Sequence, residues 1–133
     1  MRWSPAATAA IVLVLACTAS APDLPALRAF GNEPFWNVTL SEADGILYSR
    51  LGEEPIAFPY QPPSHPGGDA TTRSFGPLRD DSGEHQIEIR IAEEDCQDTM
   101  ADAVHPLRAT VTVDGEELTG CARHLDDPAP KSP

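Results

Sequence analysis

The chain has 133 residues, enough for one domain with a modest core. Nine basic residues against 21 acidic ones leave a formal charge of −12. That sign excludes a nucleic-acid partner and a charge-driven grip on anionic lipid; it suits a cationic partner, and solubility alone also accounts for it.

In chain order, Arg2 and the apolar run Ala6 to Ala16 come first. Eleven residues make the apolar segment of a secretory leader, too short to cross a hydrocarbon core of about 30 Å as a helix. The run ends in Val14-Leu15-Ala16-Cys17, which resembles the lipobox of bacterial lipoproteins, with Leu15 a less usual residue at its second position. The resemblance implies that residues 1–16 are a signal peptide, that Cys17 carries the lipid (diacylglyceryl and palmitate), and that Thr18 directs the protein to the outer membrane. Ordinary secretion, with cleavage after Ala19-Ser20-Ala21, is the alternative, and it shares the periplasm. Without Arg2, eight basic residues face 21 acidic ones, a charge of −13. Residues 17–27, small and Pro-bearing, read as a tether between membrane and domain.

A β domain is expected over residues 28–125, opening on Phe30 to Trp36, FGNEPFW. Phe35 and Trp36 are neighbours, so on a strand they face opposite sides. With Trp36 inward beside Val38 and Leu40, Phe35 is left under a loop or in solvent, and Asn32 and Glu33 stand at the rim. Two readings follow: Trp36 nucleates the core and Asn32 closes a turn, or Asn32, Glu33, Phe35 and Trp36 border a small concave binding site. Strands are predicted at Phe35–Leu40, Ile46–Leu51, Pro55–Tyr60 and, weakly, Thr71–Phe75. Gln61 to Asp69 is a Pro/Gly loop. Gln86 to Ala92 (QIEIRIA) and Ala109 to Asp114 (ATVTVD) alternate cleanly, and Asp114-Gly115 signals a two-residue hairpin to Glu116–Cys121. That turn sets Val111 opposite Leu118 and Thr110 opposite Thr119. No segment has a helical apolar stripe; at most one helical turn is expected, near Asp98–Ala103. Seven short strands point to an all-β fold, a small antiparallel barrel or sandwich. Residues 126–133, with three prolines, read as a disordered tail.

With Cys17 given to lipid, Cys96 and Cys121 form an even pair in an oxidising compartment, and a disulfide is expected. Closing a loop of 25 residues, it stabilises the fold by about 3 kcal/mol in the chain-entropy model. A zinc site would have to combine Cys96, Cys121 and His124, with His105 to complete it, and a single C-x-x-H is a poor signature for that. The acidic run from Glu93 to Asp98, with Asp102 beyond, lacks the offsets of a calcium loop and reads as a solvated, disulfide-pinned turn, with Asp98 capping the short helical turn by accepting a backbone N–H. No metal and no cofactor is expected.

Gly31-Asn32-Glu33-Pro34-Phe35-Trp36, then Cys96-x-Asp98-x-Met100-x-Asp102 with Pro106, then Gly120-Cys121-Ala122 resemble, in this order, a family of uncharacterised Gram-negative envelope proteins and lipoproteins. The resemblance spans about residues 30–122 and implies an envelope location, the disulfide, and a structural part for Asp98, Met100 and Asp102. Here Thr99 replaces a common Gly, Ala101 a Ser and His105 a Tyr. Chemistry resting on that Ser or Tyr has no counterpart in this chain. The expectation is a non-enzymatic lipoprotein on the periplasmic face of the outer membrane, held there by its lipid anchor, with a binding or envelope-maintenance role towards a cationic protein or an envelope glycan. Alternatives are an inhibitor of a basic lysozyme-type hydrolase and a weak glycan hydrolase using Glu33.

Overall fold

Alternation along the chain puts Trp36, Val38 and Leu40, Ile87, Ile89 and Ile91, and Val111 and Val113 on one side of their strands, and that side is the interior. The structure, a computed structural model, describes residues 2–3, 11–13, 25–98 and 100–128. Cys17, most of the expected leader, tether residues 17–24, Thr99 and tail residues 129–133 lie outside the described residues.

The fold is all-β. Ten strands are found among the described residues: β1 (Leu27–Asn32), β2 (Phe35–Ser41), β3 (Gly45–Arg50), β4 (Ile56–Phe58), β5 (Thr72–Arg79), β6 (Gln86–Ala92), β7 (Cys96–Asp98), β8 (Ala103–His105), β9 (Leu107–Val113) and β10 (Glu116–His124). Eight of them form one antiparallel sheet in the order β4-β3-β2-β1-β10-β9-β6-β5, curled into a nearly closed barrel. Tyr60 meets Phe75 of the edge strand β5 at a ring separation of 6.2 Å, which brings the two ends of the sheet together. β7 and β8 pair only with each other.

The β9–β10 hairpin has the register the sequence predicts, Val111 opposite Leu118 and Thr110 opposite Thr119. Asp114 and Gly115 both take positive φ, +48° and +86°, as a two-residue turn between twisted strands requires. Asp114 also accepts the backbone N–H of Gln86 at 2.8 Å, tying this turn to β6.

The elements differ from expectation in two places. β1 is a strand where none is predicted, and it begins at Leu27, the last residue assigned to the tether; Leu27 is buried. Its inward positions after Leu27 are only Ala29 and Gly31, so the apolar signal is weak. Gly31 is bare because the Trp36 indole lies against it, where a Cβ would come within 2.7 Å of its Cε2 atom. The helical turn near Asp98–Ala103 is instead the bend of the β7–β8 hairpin, with Asp102 at φ +49°. The one 3₁₀ turn among the described residues, Pro66–Gly68, lies in the Pro/Gly loop. At the start of the expected tail, Asp127 accepts the backbone N–H of His124 at 3.1 Å.

Candidate functional site

The three sequence motifs meet at one corner of the barrel. Outward residues of β1 and β10 stand side by side there, Phe30 opposite Cys121. Cys121 is bonded to Cys96, with the two Cα atoms 5.5 Å apart, so the β7–β8 hairpin is strapped across the outside of β1 and β10. Both sulfurs are spent in that bond and neither is a zinc ligand. Position 120 carries no side chain because β1 passes close by: a methyl at Gly120 would overlap the Phe30 carbonyl oxygen.

Cys96 pairs with His105 and Asp98 with Ala103, so these four residues share the hairpin face. The His105 ring packs edge-on against Phe30, centroids 4.8 Å apart. Asp98 is the polar hub. Its Oδ1 accepts the Asn32 side-chain amide at 2.7 Å and the backbone N–H groups of Met100 at 3.1 Å and Ala101 at 3.4 Å. Burial pushes the Asp98 carboxyl up, but the Asn32 amide and the two N–H groups outweigh it and hold the pKa below the ordinary value. The second oxygen lies 3.9 Å from Nε2 of His105. Burial draws the His105 pKa down against the pull of Asp98, with Arg123 acting in the same direction as burial. This histidine is therefore neutral at neutral pH, and the contact is not an ion pair there. Among the described residues its Nδ1 has no hydrogen-bond partner.

Of the expected rim, Asn32 is drawn to Asp98, and Glu33 sits exposed with Pro34 at the tip of the β1–β2 hairpin, joined to it by a cis peptide bond. Trp36 is 3% exposed, while Phe35, on the opposite side of the strand, is 48% exposed. The hairpin separates two shallow depressions. Glu33 borders one of about 340 Å³ facing Asp98 and Gln97. Phe35 and Trp36 border another, about 360 Å³, with Arg28, Phe30, Asn37 and Ser49. Glu33 and the aromatic pair therefore border different depressions, which adjoin along Phe30, Gly31 and Asn32. Met100 and Asp102 lie at the exposed bend; Met100 serves through its backbone N–H.

The aromatic groove occupies the outer face of β1, β2 and β3. Cross-strand partners set its rows: Asn32 beside Phe35, then Phe30, Asn37 and Ser49, then Arg28, Thr39 and Leu47. Leu51 donates its N–H to the Phe35 carbonyl and extends the first row. The Arg28 guanidinium lies over the Phe30 ring, 5.7 Å from its centroid. Leu47 and Leu51 are 43% and 78% exposed, so this one face holds three large apolar side chains in solvent. Sequence reasoning finds Phe35 but not Arg28, Phe30, Asn37 or Ser49; the parity of β1 and β3 against Trp36 is the signal that places them together.

Among the described residues no group of three or more His, Cys, Asp or Glu side chains is arranged to hold a metal ion. No family model, no curated protein and no solved structure matches the chain.

Proposed function

We propose that this protein is a cell-envelope lipoprotein, acylated at Cys17 and held on the periplasmic face of the outer membrane, which works by binding through the outer face of β1–β3. The observation that carries the binding role is Phe35. A hairpin tip holds an aromatic ring half in solvent at the mouth of a groove, while the acidic motif is taken up by structure: Asp98 closes the strap and Glu33 points elsewhere. Support for the anchor is the Val14–Cys17 sequence. Seven residues lie between Cys17 and Pro25, so the two are at most about 28 Å apart, which keeps the groove near the membrane surface.

Labelled palmitate is expected in the wild type and not in Cys17→Ala; equal labelling refutes the anchor. A photo-crosslinking residue at position 35 is expected to give adducts in cells, whereas one at the exposed Arg90 on β6 gives none. Adducts at both positions or at neither refute the assignment of the face.

A second reading has one observation in its favour. Glu53, Glu54, Asp80 and Glu84 surround an open depression of about 470 Å³, a surface for a basic protein such as a lysozyme-type hydrolase. Binding to lysozyme that survives 0.3 M salt supports it, and binding abolished by that salt reduces it to charge attraction.

A further inference from the structure

We infer that the groove on β1–β3 takes an acidic glycan, a chain of pyranose rings bearing carboxylates. This rests on the binding role proposed above and gives that face its ligand class. The first argument is the mix of side chains. A pyranose ring presents a patch of C–H groups above and below and hydroxyls around its rim. It needs a flat apolar surface together with many short donors and acceptors. Phe35 supplies the flat surface, and Asn37 and Ser49 stand in the next cross-strand row with Phe30, whose ring already carries Arg28. A purely apolar occupant would leave those amide and hydroxyl groups without partners.

The second argument is charge. Arg28 is directly opposite Arg123 across the β1–β10 pair, both side chains outward. Like charges in that position repel. Among the described residues neither forms an ion pair: Arg28 rests on the Phe30 ring, and Arg123 donates to the Asp127 carbonyl oxygen at 2.8 Å. In a chain with 21 acidic residues, two guanidiniums face each other without a carboxylate between them. A ligand carboxylate at Arg28 supplies the missing charge and gains charge-assisted hydrogen bonds.

The third argument is size. The rows of Phe35 and Arg28 are four residues apart along the sheet, about 13 Å. The groove volume of about 360 Å³ is at the small end of ligand clefts. The length suits a short stretch of chain rather than one sugar, stacking at the Phe35 end and paired at the Arg28 end.

The test is calorimetric titration of the full chain with trigalacturonic acid, with the disaccharide of N-acetylglucosamine and N-acetylmuramic acid, and with neutral chitotriose. At least one acidic probe is expected to bind ten-fold or more tightly than chitotriose, and which one it is identifies the carboxylate position preferred. Arg28→Gln is expected to erase that preference, and Phe35→Ala to weaken acidic and neutral probes alike by about ten-fold. Both side chains are exposed, so both variants should fold, which an unchanged melting temperature verifies. Absence of heat with every probe, equal affinity for acidic and neutral probes, or a preference that survives Arg28→Gln each overturns the inference. If adducts at position 35 persist while all three saccharides fail, the face binds something else and only this inference falls. If the adducts are absent too, the binding role falls with it.

Discussion

In the barrel wall, Ile87, Ile89 and Ile91 of β6 stand opposite Val113, Val111 and Ala109 of β9, all at most 8% exposed and all apolar. On the outside of the same barrel the β7–β8 hairpin buries Cys96, Ala103 and His105, and holds on through one disulfide, one carboxylate and one aromatic edge. The wall is redundant, since each interior side chain touches several others and no single polar contact decides its place. The strap is the reverse, with three-residue strands that cannot stay in position without specific bonds. The unusual residues of this chain gather at the strap. Asn32, Asp98 and Cys121 serve the strap, and none of them serves the wall's alternation.

The sharpest way to break the contrast is in the wall. Ile89→Ala removes a fully buried side chain at the middle of β6 and should cost about 4 kcal/mol. For a domain whose whole stability is of order 5–15 kcal/mol, the loss should appear as one cooperative shift in thermal unfolding. Next, Cys96→Ala with Cys121→Ala should cost about 3 kcal/mol and act differently in space. Hydrogen exchange should quicken first in residues 96–105, with β6 and β9 still protected. If both substitutions raise exchange uniformly, wall and strap are one cooperative unit and the distinction fails.

Asn32→Ala tests the strap at its polar hub. It removes a hydrogen bond to an ionised, largely buried carboxylate, worth about 2 kcal/mol. Chemical denaturation should show the loss. The same change in the Cys96→Ala/Cys121→Ala background should cost less, because the hairpin there is already loose.

The legibility of this fold follows the same division. QIEIRIA and ATVTVDG are readable because a period of two and a two-residue turn are local properties, and the structure has both strands and their register. β1 is not readable, because its inward Ala29 and Gly31 are small, and Gly31 leaves room for Trp36, a residue on the next strand. The β7–β8 hairpin is too short to show a period, and Asp98 followed by Met and Ala imitates the start of a helix. The hydrogen bond from Asn32 spans 66 residues of sequence, and no local pattern announces it. In the groove only Phe35 is conspicuous, because it breaks the binary pattern; Arg28, Phe30 and Ser49 look ordinary until β1 and β3 are set beside β2.

The smallest predicted effects are those of pH, and they separate two histidines that each stand near an aspartate. His105, in the strap, has its pKa lowered, chiefly by burial. Below the ordinary value of 6.5 the unfolded chain takes up a proton that the folded chain refuses. Its contribution is therefore present above pH 6.5 and is lost as pH falls towards the lowered folded value. His85 lies at the end of β6 with Nδ1 2.7 Å from Asp114, and the hydrogen bond to Asp114 raises its pKa. Its contribution is present below pH 6.5 and is lost as pH rises through the raised folded value. Melting temperatures across pH 5 to 8 should show the two slopes separately: His105→Phe flattens the acid side and His85→Gln the neutral side. The His85 effect should be the smaller, because that pair is exposed and screened by solvent. If His105→Phe leaves the acid slope unchanged, the strap histidine is not buried neutral against Phe30, and the division between an apolar wall and a bonded strap loses its strongest electrostatic support.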